Sequence, residues 1–183
     1  MIKSKSRSNL RPKKTAGMDA IALLKADHRK VAEWFKAYEN TSSGTRKAKL
    51  ATQICNALKV HTQIEEEIFY PVFIKVTKDK DMHHEAVVEH DGAKMLIEEI
   101  DSSSPSDDYF DAKVKVLSEM IKHHVKEEEQ PGGMFAEARK SEMDLVDLGR
   151  KMRARQKELM GAGNKKVSFR TQVGDALGLV APV

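Results

Sequence analysis

The stretch Ile54-Cys-Asn-Ala-Leu-Lys-Val-His61-Thr-Gln-Ile-Glu65-Glu-Glu-Ile68-Phe-Tyr-Pro71 decides how this chain folds. Ile54, Leu58, His61, Glu65 and Ile68 recur at steps of three and four, the spacing of one face of an α-helix. That face is apolar except for a histidine and, four residues on, a glutamate. A glutamate turned into a helical core is costly to bury as an anion unless it is paired or bound to a metal. The reading therefore depends on whether other segments bring similar groups to the same place.

Three other segments do. Near 19–39, Ile21, Leu24, His28, Val31, Phe35 and Tyr38 line one face, and near 107–129 the face is Val114, Leu117, Ile121, His124 and Glu128. Near 81–101 the stripe His83, Val87, His90, Lys94 and Ile97 is less purely apolar. Each stripe holds a histidine, and two hold His-x-x-x-Glu. The spacing nearly repeats, with 62 positions from His28 to His90 and 63 from His61 to His124 and from Glu65 to Glu128. No comparable repeat runs through the other residues, so the symmetry is one of polar groups.

Loops at Asn40–Thr45, 78–80, Ser102–Asp108 and Gln130–Gly133 separate these helices, and Pro71 should end or bend the second, which runs from about 45 to 74. The chain of 183 residues is expected to be all-α, with an up-down-up-down four-helix bundle over 18–160. An additional C-terminal helix near 141–160, opened by Ser141 and Asp144, should pack across one end or side. Hydrophobic residues at 40% and charged residues at 33% suit a globular chain, and no apolar run is long enough to span a membrane. A single cysteine, Cys55, excludes an internal disulfide framework and any multi-cysteine zinc site, and its place beside the core stripe predicts a buried thiol.

Charge is concentrated at the ends. Residues 1–17 carry six cations and no acid and residues 161–183 a net +2, which leaves 18–160 at −4 within a total of +4. The arm at 1–17 reads as a solvated, disordered segment, with contact to nucleic acid or anionic lipid as the alternative, and 161–183 reads as a flexible tail. The arm has no apolar core of a secretory signal, so a cytoplasmic location is expected.

Residues four apart on one helix face lie about 6 Å from each other, so His61 with Glu65, and His124 with Glu128, can approach a common centre. Imidazole nitrogens with carboxylate oxygens suit iron or manganese. His28, His61, Glu65, His90, His124 and Glu128 are enough for a two-metal site. Taken singly, each has an ordinary explanation: a core histidine is usually hydrogen-bonded, and Glu65–Glu67 and Glu127–Glu129 are charge runs of the kind that form solvated faces. The joint recurrence outweighs those explanations. His123 and Glu127 share the spacing of His124 and Glu128, but Leu117 and Ile121 lead onto His124. His123 is expected against a neighbouring helix or solvent, and His83 and His84 are expected to be exposed.

Asp27-His28-Arg-Lys-Val, His61 to Pro71, Glu89-His90-Asp91 and His123-His-Val-Lys-Glu-Glu-Glu129 resemble the hemerythrin-like, or HHE cation-binding, domains over about 19–140. The resemblance implies a non-haem centre of two iron ions, bridged by two carboxylates and an oxo or hydroxo group. His28 and His61 would then serve one iron, His90 and His124 the other, with Glu65 and Glu128 as bridges. Ferritin-like bundles fit less well, because they use Glu-x-x-His and no glutamate here stands three residues before a histidine. The oxygen-carrying hemerythrins use His-x-x-x-His in the third helix, whereas the residues at that spacing from His90 are Ala86 and Lys94. Two octahedral irons need about twelve bonds, and this set supplies about ten, which leaves roughly one exchangeable position per iron.

These counts favour chemistry on peroxide or nitric oxide, in a redox or stress-protection role, over simple dioxygen storage. No side chain offers itself as a separate nucleophile. Asp27, Glu89 and Asp91 are candidates to orient the imidazoles, and Tyr38 and Tyr70 to donate a hydrogen bond to a bound oxidant. The alternatives are an oxygen or iron sensor or carrier without turnover, and a bundle whose histidines are merely hydrogen-bonded. Gln130-Pro-Gly-Gly133 departs from the family pattern, either as a neutral loop or as a break that opens the site.

Overall fold

The computed structural model describes residues 18–161, so the expected basic arm and nearly all of the expected tail lie outside the described residues. Asp19 opens α1 (Ala20–Glu39) by accepting the backbone N–H of Ala22 at 2.8 Å. Ser43 caps α2 (Gly44–Ile64), which passes through a π turn at Glu65–Phe69 into α3 (Tyr70–Thr77). After a left-handed Lys78 with φ of 60°, Asp79 caps α4 (Lys80–Asp101). Then follow α5 (Phe110–Glu129), a short α6 (Met134–Lys140) and α7 (Leu145–Gly161). The fold is all-helical. The bundle helices are α1, α2 continued by α3, α4 and α5, and no helix of the described residues is long and apolar enough to cross a membrane.

Of the two expected effects of Pro71, an end or a bend, the helix does not end there. The proline has no N–H to donate, and its ring crowds the carbonyl of the preceding turn. The π turn directly before it absorbs the conflict: the Tyr70 N–H reaches back five residues to the Glu65 carbonyl, and the helix continues to Thr77. The fifth helix also starts later than expected. Ser141 lies at the end of α6, and Asp144 alone opens α7 by accepting the Asp147 N–H at 2.9 Å.

The core falls into two apolar clusters. One gathers Ile21, Leu24, Ile64, Phe69, Phe73, Phe135 and Met152, and the other Val31, Phe35, Ile54, Leu58, Ile97 and Leu117. His28 lies in sequence between Leu24 and Val31, and His61 between Leu58 and Ile64, so a polar layer separates two oily halves.

Gln130-Pro-Gly-Gly133 has a structural role that neither expectation captured. It turns the chain back over the end of α5 so tightly that a Cβ on Gly133 would lie 2.2 Å from the Glu127 carbonyl oxygen. The turn delivers Met134, Phe135 and Ala138 of α6 into the first core cluster. A second close approach docks α7. Gly149 meets the backbone of residues 18–20 at 2.7 Å from where its Cβ would be.

Replacing Gly149 with Ala should therefore lower stability by about 1–3 kcal/mol in urea unfolding of the full chain. Cys55 is buried, and burial pushes its thiol up to about 12, with the nearby Asp101 carboxylate adding to the rise. It should resist a thiol reagent at pH 8 in the native protein and react fully once urea unfolds it, because an unfolded thiol ionises near 8.5.

Candidate metal centre

All six side chains singled out from the sequence meet in the polar layer, each 7% exposed or less. His28 and His61 face each other across α1 and α2 with Nε2 atoms 3.1 Å apart, and His90 and His124 across α4 and α5 at 3.2 Å. The two glutamates tie the pairs together. Glu65 Oε2 lies 3.1 Å from His61 Nε2 and 3.5 Å from His90 Nε2. Glu128 Oε2 lies 3.4 Å from His28 Nε2 and 3.7 Å from His124 Nε2. Each carboxylate thus reaches one imidazole of each pair.

The outward nitrogens explain why the inward ones meet. His28 Nδ1 donates to Glu129 at 2.8 Å, His90 Nδ1 to Glu66 at 3.0 Å and His124 Nδ1 to Glu89 at 2.7 Å. His61 Nδ1 faces Asp27 at 3.9 Å, and Asp27 is itself held by Gln156 of α7 at 2.7 Å. A carboxylate on Nδ1 favours the tautomer whose Nε2 lone pair points inward. Two such lone pairs at about 3 Å repel each other unless a proton or a cation lies between them.

Two of these outer carboxylates, Glu66 and Glu129, were not anticipated, because they sit inside acidic triplets that read as solvated faces. The signal was present in the offsets. Asp27 to Glu89 is 62 positions and Glu66 to Glu129 is 63, the two offsets that also relate the histidines and the core glutamates. Lysines anchor both unexpected groups: Lys94 Nζ reaches Glu66 at 2.6 Å and Lys25 Nζ reaches Glu129 at 3.0 Å. Asp91 contacts Lys94 at 3.1 Å.

The tyrosines divide. Tyr70 is fully buried with its hydroxyl 3.3 Å from His90 Nε2 and 3.5 Å from Glu128 Oε1. Tyr38 donates to Asp111 at 2.6 Å within the second core cluster and has no part in the centre. His123 is exposed and lies 3.2 Å from Glu89, whereas the rings of His83 and Tyr70 pack edge to face, so His83 is only partly exposed.

Fit to a cation follows from what the protein leaves unpaired. Both oxygens of Glu65 and Oε2 of Glu128 accept no hydrogen bond, although both side chains are buried. An unpaired buried carboxylate is a several-kcal/mol liability, roughly, that a bound cation removes. Titration in the protein alone reflects the same crowding. Burial, followed by the facing imidazoles, holds His28 and His90 well below the usual histidine range. Burial also pulls on His61 and His124, but the Glu65 and Glu128 carboxylates outweigh it and raise both. Burial, with Glu65 alongside, pushes Glu128 up to about 8. His28, His61, Glu65 and Glu128 lie close enough to hold one ion, and Glu65, His90 and His124 a second.

Residues 19–131 match the Hemerythrin HHE cation binding domain. The chain belongs to that family. Among solved structures, a hemerythrin HHE cation-binding domain-containing protein from Mycobacterium kansasii shares the fold with a TM-score of 0.67 at 21% identity, over 86% of this chain and 96% of that one. A DNA nickase from Nostoc sp. is 29% identical over 112 residues, which are 61% of this chain and 32% of that protein. The HHE chain therefore spans about a third of that relative's length.

Metal should couple to folding here. Adding ferrous or manganous ion to chelator-treated protein is expected to raise the unfolding midpoint by about 5–10 °C at saturation. Glu65→Ala and Glu128→Ala should each remove most of that rise. Binding must displace protons, including the one Glu128 holds up to about 8, so the rise should shrink as the pH falls from 8 towards 6.

Proposed function

We propose that this HHE domain is a non-haem di-iron protein that binds or reacts with small oxidants in a redox or stress-protection role. His28, His61, Glu65, His90, His124 and Glu128 would hold the two iron ions. One observation carries the reading: two facing imidazole pairs, each reached by both core carboxylates, with three of the four carboxylate oxygens accepting no hydrogen bond. A donor set without thiolate, made of nitrogen and carboxylate oxygen, suits iron or manganese. When bound, an iron pair supplies redox equivalents and Lewis acidity.

The chain's own groups do the positioning. Glu129, Glu66 and Glu89 fix three of the rings through Nδ1, and Asp27, braced by α7, stands beside the fourth. Phe135 stacks on His28 with ring centroids 5.8 Å apart and walls that side with apolar surface. Tyr70 keeps its proton, because burial and the surrounding carboxylates raise it well above the usual phenol range, and so remains a donor beside His90 and Glu128. A cavity of about 10 Å³ beside the four imidazoles has room for one water-sized species, which fits peroxide or a diatomic poorly unless a neighbour shifts slightly.

Protein purified aerobically should carry about two irons per chain and show a near-ultraviolet and visible iron band that shifts on adding peroxide. His61→Ala should abolish peroxide turnover, whereas turnover unchanged by that substitution would assign the activity to free iron. A second reading, a sensor or carrier that binds without turnover, draws on the six cations of residues 1–17 and on the likeness to a DNA nickase. It expects deletion of 1–17 to weaken salt-sensitive DNA binding while leaving the iron spectrum unchanged.

A further inference from the structure

Beside the centre, a cleft of about 350 Å³ opens between the start of α4, the end of α5 and the turn into α6. Asp79, Asp81, Glu85, Glu89 and Glu127 line it, and no lysine or arginine does so among the described residues. The carboxylates are graded by depth. Asp81 and Glu85 are exposed, Glu89 is 19% exposed, and Glu128 and His124 are buried at 2% and 4%. Two of these acids are paired with neutral donors: Asp79 accepts a backbone N–H and Glu127 accepts the Gln130 amide.

A second, independent observation lies at the deep end. Glu128 lines the cleft, is almost fully buried, and its Oε2 accepts no hydrogen bond. Another cavity touching the centre, of about 10 Å³, is walled by Val31, Leu58 and Ile121 besides Asp27 and Thr62, and it has no room for a hydrated ion.

We propose that the acidic cleft is the path by which a divalent cation, ferrous ion on the reading above, enters the six-residue centre. A cleft lined by one sign of charge focuses the field and raises the local concentration of the opposite ion. The rim groups meet the ion while it is still hydrated. Deeper in, carboxylate oxygens replace its water until it reaches Glu128 and His124, the two members of the centre that line the cleft. Glu89 belongs to both regions, since its other oxygen fixes His124. This inference rests on the metal-binding reading, and the experiment separates the two.

Asp81→Asn combined with Glu85→Gln removes two rim charges from exposed positions outside the centre, so folding should be preserved. The control, Glu33→Gln with Glu142→Gln, removes two exposed charges outside the cleft. Full-length metal-free protein is mixed anaerobically with ferrous ion, and uptake is followed by capturing the unbound ion with a chelator at successive times. The rim variant should load about threefold or more slowly than wild type at low salt. The gap should close at 0.5 M salt, where screening is strong. Its final iron content and midpoint shift should equal those of wild type, and the control should load at the wild-type rate. Equal rates for rim variant and wild type, with full final loading, would overturn the cleft while leaving the metal centre standing. A slowing shared by the control would assign the effect to net charge and overturn the cleft too. Wild type that takes up no ferrous ion would overturn both.

Discussion

Two carboxylates in the middle of an apolar bundle set the terms for everything around them. Glu65 and Glu128 sit between the two halves of the core without hydrogen bonds to either Glu65 oxygen or to Glu128 Oε2. Leaving such groups unpaired costs several kcal/mol, roughly, out of the 5–15 kcal/mol of net stability typical of a domain. Four imidazoles arranged in facing pairs lessen the cost only in part, because each pair directs two ring nitrogens at the same space. A bound cation satisfies carboxylates and imidazoles together, which is why metal binding and folding are one problem in this HHE domain.

Around that layer the protein builds a ring of outer acids, and their partners come from elements spread along the whole described chain. Lys25 and Lys94 hold Glu129 and Glu66, and α7 contributes Gln156 to Asp27 and Arg155 to Glu67 at 2.8 Å. The last helix is therefore a brace for the outer ring, and its close docking through Gly149 gives it the fixed position that such a brace needs. Lys94 takes on added meaning here. It stands one turn after His90, and its ammonium is turned to Glu66 and Asp91. It thereby supports the carboxylate that orients His90.

The π turn shows how a local conflict and the centre share one solution. Pro71 cannot continue a regular helix from Glu67, and one wider turn removes the conflict. That same turn contains Glu65 and Glu66, which face an inner and an outer nitrogen of the centre, and it precedes Tyr70, whose hydroxyl ends beside His90. Turns of this kind are found often at functional sites because an extra residue redirects the side chains that follow.

Sequence by itself determined which residues share a face. Ile54, Leu58, His61, Glu65 and the three companion stripes have a period that is local to each helix, and it already marked the bundle and the six inward polar groups. The same local reading chose His124 over His123, and the structure buries the first and exposes the second. Relations between helices were not legible. That Glu65 spans His61 and His90, that Glu66 serves His90, and that α6 folds back to set Phe135 on His28 depend on how helices are rotated and staggered against one another. No single-helix period encodes that. Tertiary packing also decided that Tyr70 and not Tyr38 reaches the centre, and that one side of it opens on an acidic cleft while another is walled by apolar side chains. Both follow from close packing across helices, where a side chain's neighbours are set by distance in space and not by spacing along the chain.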